Sequence, residues 1–480
     1  MLSRVSPSRT LAGNVFNLTL GSALAQGITL VAAPLLTRLY TPQDYGLFGV
    51  FLGLLSLFSA IASLRYEIAI PLPEAESEAI NLAAVSFVAL MFVTTISVTV
   101  SVLAGAHIAQ ALGVPDLAHW LWLLPPALFL TGLTQVFSYW ANRQKRFKQL
   151  AISRVAQSGT AASVQGGAGA WSVPGMPGLL GGYLAGQLCA CLLLLRDALH
   201  SRGGFNWRAL SPTRMRQAAS RYADLPKHAL FTSELNALST HILNFALAAL
   251  HGPFAAGLAL LAQRIVIMPI SFLSGALWQT SHAEIGRAPP ERQAHILTRN
   301  HTLACTIFAV PLGLLAALSS HSALLFGPAW GELALVLPAI SLMAYLNAVS
   351  NVTSYFAALG RFRLESMVNI TLLLVKFLAL ASVIGSDDPY LAINVYALAT
   401  ALAYLSLNLF WGHAIGRSRF FFTTLLFNIV PAIAAFALLQ ALLGMSLALG
   451  LAASAGIALA HAWLLYHRFI KSRISTETAA

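Results

Sequence analysis

The stretch Trp140-Ala141-Asn142-Arg143-Gln144-Lys145-Arg146-Phe147-Lys148 decides how this chain is read: four basic residues stand between two apolar runs, roughly 118–140 and 150–172. Each run is long enough to cross a bilayer, which takes about 20 residues of helix. Outward from this stretch the pattern repeats, giving about fourteen runs, at roughly 12–39, 45–64, 80–104, 118–140, 150–172, 177–199, 228–250, 254–283, 300–320, 332–358, 365–385, 389–413, 420–443 and 445–467. Charged residues make up 9% of the 480 positions and hydrophobic ones 58%, with mean hydropathy +0.74. A water-soluble fold cannot carry that surface. The expectation is an all-α polytopic membrane protein.

The Lys and Arg residues sort onto alternate connections. Of the 28, 24 fall on one side and Arg38 alone on the other, while Arg154, Arg264 and Lys376 lie inside spans. The excess of basic residues on one side predicts an inner-membrane protein with both termini cytoplasmic. The net charge of +12 then reflects loops that set topology and meet anionic headgroups, so nucleic acid is not expected as a partner. Cys189, Cys191 and Cys305 sit in apolar spans without disulfide or zinc spacing. Arg4 and Arg9 precede an apolar run too long for a signal peptide, and we read it as an uncleaved first helix.

The longest polar connection, about 196–227, divides the chain. We expect an N-terminal six-helix bundle at 1–200, a cytoplasmic basic connector at 201–227, a C-terminal six-helix bundle at 228–416, and two further helices with a cytoplasmic tail at 417–480. Two echoes relate the bundles as a parallel pseudo-repeat. Ser138-Tyr139-Trp140-Ala141 followed by Arg146-Phe147-Lys148 returns as Ser354-Tyr355-Phe356-Ala357 followed by Arg361-Phe362-Arg363. Pro42 and Gly46, between the first two spans, return as Pro253 and Gly257 between the seventh and eighth. The last two helices have no counterpart and almost no polar residues, so they read as a lipid-facing addition.

A charge near mid-membrane costs about 2.5–3.5 kcal/mol even on the lenient insertion scale, so it needs a wet cavity or a partner. Arg264 and Lys376 stand at that depth, and Arg154 and Arg38 are further cations of the candidate cavity. Glu234 is the only acid at comparable depth; a buried Glu234–Arg264 ion pair is one reading of it and leaves Lys376 unmatched. Glu234 and His241, seven residues apart on one helix face, have the composition of a proton or cation site, or His241 is a hydrogen-bonded core residue. The fourth span carries a polar stripe of Thr131, Thr134, Gln135, Ser138, Tyr139 and Asn142. Gln157 and Gln165 in the fifth and Asn351 and Tyr355 in the tenth extend it. Such stripes line a hydrated cavity or glue helices together. A cationic cavity with amides and aromatic hydroxyls suits an amphiphile whose head carries phosphate and sugar. His107, His119, His228, His282 and His301 stand at span ends and read as interfacial.

Three stretches carry a family resemblance: Pro34-Leu35-Leu36-Thr37-Arg38-Leu39-Tyr40-Thr41-Pro42-Gln43-Asp44-Tyr45-Gly46, Arg65-Tyr66-Glu67-Ile68-Ala69-Ile70-Pro71, and Leu261-Ala262-Gln263-Arg264 followed by Pro269. They resemble the polysaccharide-biosynthesis branch of the multidrug/oligosaccharidyl-lipid/polysaccharide (MOP) exporter superfamily, and among it the Wzx-type flippases. The resemblance implies two facing six-helix bundles, alternating access, and export of an undecaprenyl-diphosphate-linked oligosaccharide to the outer leaflet. It also implies coupling to H+ or Na+, and a polymerase and chain-length regulator of the same pathway as partners besides membrane lipids. A lipid II or small-molecule exporter of the superfamily is the alternative. No cofactor is expected. A membrane polymerase or glycosyltransferase is disfavoured, because the outer connections are short and nearly devoid of catalytic residue types.

Overall fold

The computed structural model describes residues 7–171, 175–200, 207–285, 288–350 and 362–445, together with Ala453 and Ile457. Among these the regular structure is entirely helical. The chain falls into two compact units, Met1–Leu260 and Leu261–Ala480.

The first unit holds α1 (Pro7–Leu39), α2 (Pro42–Ile61), α3 (Glu76–Ala111), α4 (Leu124–Arg143), α5 (Phe147–Ala170), α6 (Met176–His200), the short α7 (Pro212–Arg221) and α8 (Asp224–Ile285) as far as Leu260. The second holds the rest of α8, then α9 (Pro290–Leu318), α10 (Ser322–Phe326), α11 (Leu337–Ser350), α12 (Phe362–Ala381), α13 (Pro389–Ala414) and α14 (Ser418–Met445). Ten of the described helices are long and apolar enough to cross a membrane. They become eleven when the 57° bent pair Pro328–Leu335 and Leu337–Ser350 counts as one span.

Among the described residues, helices cover thirteen of the fourteen expected runs. Helix α5 is less apolar than the other long helices, interrupted by Arg154, Gln157 and Gln165. Helix α8 is two spans in succession, broken where Gly252 adopts φ 79°. The fourteenth run, 445–467, lies almost wholly outside the described residues.

Local chemistry starts these helices where the sequence changes direction. Thr41 caps α2 in a reciprocal box with Asp44, and Pro42 occupies the first helical turn, where its missing N–H costs nothing. At the start of α13, Asp388 caps by accepting from the Tyr390 N–H at 2.8 Å, and Pro389 again takes the first turn. In the first unit α5 packs between α1 and α6, and α4 packs against both α3 and α6.

The basic side of this unit is tied by polar contacts. The Arg143 guanidinium donates to the carbonyls of Ile70 (3.3 Å), Pro73 and Glu74 (3.2 Å), holding the α2–α3 turn against the end of α4. Arg146 pairs with Asp197 at 2.8 Å, joining the α4–α5 turn to α6. Helix α7 docks on α3 through Arg221–Glu78 (2.9 Å), the segment before it through Asn81 of α3, which donates to Ala209 O (3.0 Å) and accepts from Ser211 N (3.1 Å), and Tyr66 of the α2–α3 turn donates to Ala219 O of α7 (3.2 Å).

In the second unit His301 is a correction to the interfacial reading. It stands twelve residues into α9 and is 1% exposed. Its ring stacks on Phe421 at 4.0 Å, with Nε2 3.1 Å from Phe421 O and Nδ1 3.2 Å from the Asn408 amide. One imidazole thereby bonds α9 to α13 and α14. Gln440 donates to Ala317 O at 2.8 Å, so α14 is fastened to α9 by hydrogen bonds as well as by apolar packing.

Candidate functional site

Two consecutive non-glycine residues between α2 and α3, Leu64 (φ 48°) and Arg65 (φ 63°), occupy the left-handed region. Each costs roughly 1–2 kcal/mol of backbone strain. The turn aims Arg65 at Glu67, whose carboxylate is fully buried. Arg65 Nη1 lies 3.3 Å from Glu67 Oε1, and Ser63 Oγ donates to Glu67 Oε2. The Tyr139 phenol of α4 feels both charges, and the Arg65 charge reaches Glu234 on α8. Arg65, Glu67, Tyr139 and Glu234 thus form one electrostatic cluster.

Four buried polar atoms without hydrogen-bond partners belong to this turn and to α4 and α8: Arg65 Nε, Gln135 Oε1, Glu234 Oε1 and His241 Nδ1. Such orphans are uncommon in folded proteins and mark places where a ligand, an ion or water completes the bonding. Glu234 and His241 stand two turns apart on α8, and both side chains are half-buried. The His241 ring lies 6.4 Å from Phe245. Opposite them α2 presents Gly53, where a Cβ would stand 2.6 Å from the Phe245 ring and 3.4 Å from His241 Cβ. The absent side chain lets α2 and α8 approach at the level of the imidazole.

The polar stripe is partly cavity-compatible and partly internal. Thr134 and Ser138 donate to carbonyls one turn back on α4, both at 2.7 Å. Thr131 and Gln187 meet the Tyr183 hydroxyl at 3.3 and 3.0 Å. Gln165, expected to continue the stripe, is instead helix glue: its side-chain amide donates to Leu179 O at 3.0 Å and its backbone carbonyl accepts from the Tyr40 hydroxyl at 2.7 Å. Tyr139 and Gln157 are half-buried and Asn142 is exposed. Arg154 is exposed with its guanidinium on Ser22, and Arg38 is exposed at the end of α1.

In the second unit Arg264 is half-buried, with Nε lacking a partner, and Lys376 is half-buried on α12. Asn351 and Tyr355 lie outside the described residues. Ser350, beside them, donates to Tyr404 O at 2.7 Å and binds helix to helix. Among the described residues no three His, Cys, Asp or Glu side chains assemble as a metal site.

Sequence reasoning placed Arg65 among the topology-setting loops and passed over Ser63 and Glu67. The signal was present: an acid two residues from a base, within a stretch that carried the family resemblance.

Residues 35–335 match the model of a family described as polysaccharide biosynthesis protein. No curated protein matches the sequence. Among solved structures the chain is similar to an inward-facing multidrug resistance MATE family transporter of the MOP superfamily, with TM-score 0.67 and 15% identity, over 84% of this chain and 95% of that one. It is also similar to the lipid II flippase MurJ in an inward closed conformation, with TM-score 0.69 and 11% identity, over 94% and 99%. A third likeness is to a MOP superfamily transporter from Pyrococcus furiosus, described by the reverse polarity of its binding pocket, with TM-score 0.58 and 15% identity, over 88% and 96%. At these identities the likeness is one of fold.

Proposed function

This chain belongs to the polysaccharide biosynthesis protein family, and from that membership we propose that it carries undecaprenyl-diphosphate-linked oligosaccharide repeat units from the cytoplasmic to the periplasmic leaflet of a bacterial inner membrane. Family and fold make it a flippase or exporter. The observation that carries the choice of cargo is the sign of the charge at membrane depth. Arg154, Arg264 and Lys376 stand on spans that offer Glu234 as the acid. Guanidinium and ammonium groups satisfy a diphosphate, and Gln135, Tyr139, Asn142 and Gln157 suit sugar hydroxyls. A carrier of hydrophobic cations needs the opposite balance.

In this reading residues 1–200 and 228–416 are the two bundles that rock about the cargo, both termini are cytoplasmic, and a polymerase and chain-length regulator act downstream. Glu234 and His241 supply the coupling to H+ or Na+. Glu234 Oε1 and His241 Nδ1, each without a hydrogen-bond partner, support this role, because such a carboxylate oxygen and imidazole nitrogen can take up and release a cation. The test is deletion of the gene followed by analysis of lipid-linked intermediates. The undecaprenyl-diphosphate oligosaccharide is expected to accumulate on the cytoplasmic leaflet while the matching surface polysaccharide disappears. Accumulation of lipid II in its place would assign the alternative cargo.

A further inference from the structure

Helices α2 and α8 run antiparallel in close contact. Gly46 meets Pro253, and further along α2 Gly53 meets Phe245 and His241, where a Cβ would stand 2.6 Å from the Phe245 ring. Both helices rise about 1.5 Å per residue, so the same register carried to the basic side sets Glu234 roughly level with residues 60–64. That is where α2 gives way to the left-handed turn at Leu64 and Arg65. The register and the electrostatics agree, for the Arg65 charge acts on Glu234.

The bonding of these two groups is incomplete in a complementary way. Arg65 gives Nη1 to Glu67 Oε1 at 3.3 Å, longer than the roughly 2.7–2.9 Å of a strong charge-assisted bond, and its buried Nε has no partner. On Glu234 the buried Oε1 has no partner either. Both oxygens of the fully buried Glu67 are engaged, one by Arg65 and one by the Ser63 hydroxyl. The backbone strain at Leu64 and Arg65 therefore keeps one guanidinium at the level of two carboxylates. Around them, Tyr139 of α4 feels the Arg65 and Glu67 charges, and His241 stands two turns along α8. Arg143 is committed to the carbonyls of Ile70, Pro73 and Glu74, and Arg221 to Glu78. The side chains of Lys227 and His228, at the start of α8, lie outside the described residues.

We infer that Arg65 is the built-in counter-ion of the Glu234 site, shared between Glu67, which holds it throughout, and Glu234, which holds it only while ionised. A proton arriving on the Glu234 carboxylate displaces the guanidinium and frees α8 from the α2–α3 turn; a proton leaving restores the contact. No other bond changes. The inference rests on the reading of Glu234 as the coupling residue and adds what the proton competes with there.

The test is infrared spectroscopy of the full-length protein purified in detergent, following against pH the protonated-carboxyl band that Glu234→Gln removes. Arg65→Gln takes away a positive charge and should move the midpoint of that band up by about one pH unit. Glu67→Gln leaves the guanidinium to Glu234 alone and should move it down by about as much. Arg65→Lys keeps the charge and should hold the midpoint near that of the wild-type protein. Loosening of the turn would shift both glutamine variants the same way, so opposite shifts report the shared charge, and either variant decides the matter where the other fails to fold. A midpoint left in place or moved the other way in either variant would overturn the shared counter-ion while leaving Glu234 as the coupling residue. The lack of any such band between about pH 4 and pH 9 would remove the coupling reading as well.

Discussion

Gly46 and Pro253 pack backbone against backbone: a Cβ built on Gly46 would lie 1.8 Å from the Pro253 carbonyl oxygen. The relation is reciprocal, for a Cβ on Gly257 would lie 1.8 Å from the Pro42 oxygen and 3.0 Å from Gly46 N. The Pro–Gly echo that relates the first and seventh turns of the sequence is thus a physical contact, each proline-started turn seated on the glycine of the other. Only the absence of both side chains permits it. If the protein works by the rocking motion proposed above, this contact, on the side away from the basic loops, would be the one to part on outward opening.

Substituting either glycine should therefore keep that side from closing. Gly46→Val and Gly257→Val are each expected to lower export at least tenfold while the protein level is held. A cysteine placed at the fully buried Ala256 should become reactive to an impermeant thiol reagent in the Gly46→Val background. Gly181→Ala, where nothing lies within 4 Å of the new methyl, is the control expected to export normally. Normal export by Gly46→Val would show that the contact is dispensable.

Glu67 anchors the strained turn. Replacing it with Ala leaves Arg65 without its carboxylate and the Ser63 hydroxyl without its acceptor, an expected loss of roughly 2 kcal/mol. Glu67→Gln keeps an acceptor for Ser63 and should cost less. Thermal unfolding of the purified protein in detergent reads the difference. An unchanged midpoint in Glu67→Ala would mean that the turn holds its left-handed geometry without the carboxylate.

These two relationships differ in how far the sequence disclosed them. The Pro42–Gly46 and Pro253–Gly257 echoes were visible as repeated spacing, though spacing alone does not say that the two copies touch. The spans were legible because twenty apolar residues between basic clusters leave little choice of fold, and α5 was counted despite Arg154 and its glutamines. Periodicity cannot separate a polar residue that lines a cavity from one that bonds a neighbouring helix. Gln165 proved to be the second kind. His301 was misplaced because its burial depends on Asn408 and Phe421, more than 100 residues away. The Arg65–Glu67 pairing rests on left-handed dihedrals at two residues with side chains, which no propensity foretells.

Helix α8 should carry any ion coupling. Glu234→Gln imitates the protonated carboxyl without changing its shape. It is expected to abolish gradient-driven export while leaving protein level and cargo binding near normal. The measurement is export by energised membrane vesicles with and without an imposed proton or sodium gradient. Unchanged gradient-driven export in Glu234→Gln would remove this residue from the coupling site.

The most direct test of the central claim is translocation by the purified protein in liposomes, followed with an undecaprenyl-diphosphate-linked oligosaccharide whose leaflet is read by a membrane-impermeant glycan-modifying enzyme. The account predicts protein-dependent translocation that falls at least tenfold in Arg264→Ala and in Lys376→Ala and is partly kept in Arg264→Lys, because a phosphate needs the positive charge more than the guanidinium fork. Translocation no faster than in protein-free liposomes, or equally fast in the wild-type protein and both alanine variants, would contradict it.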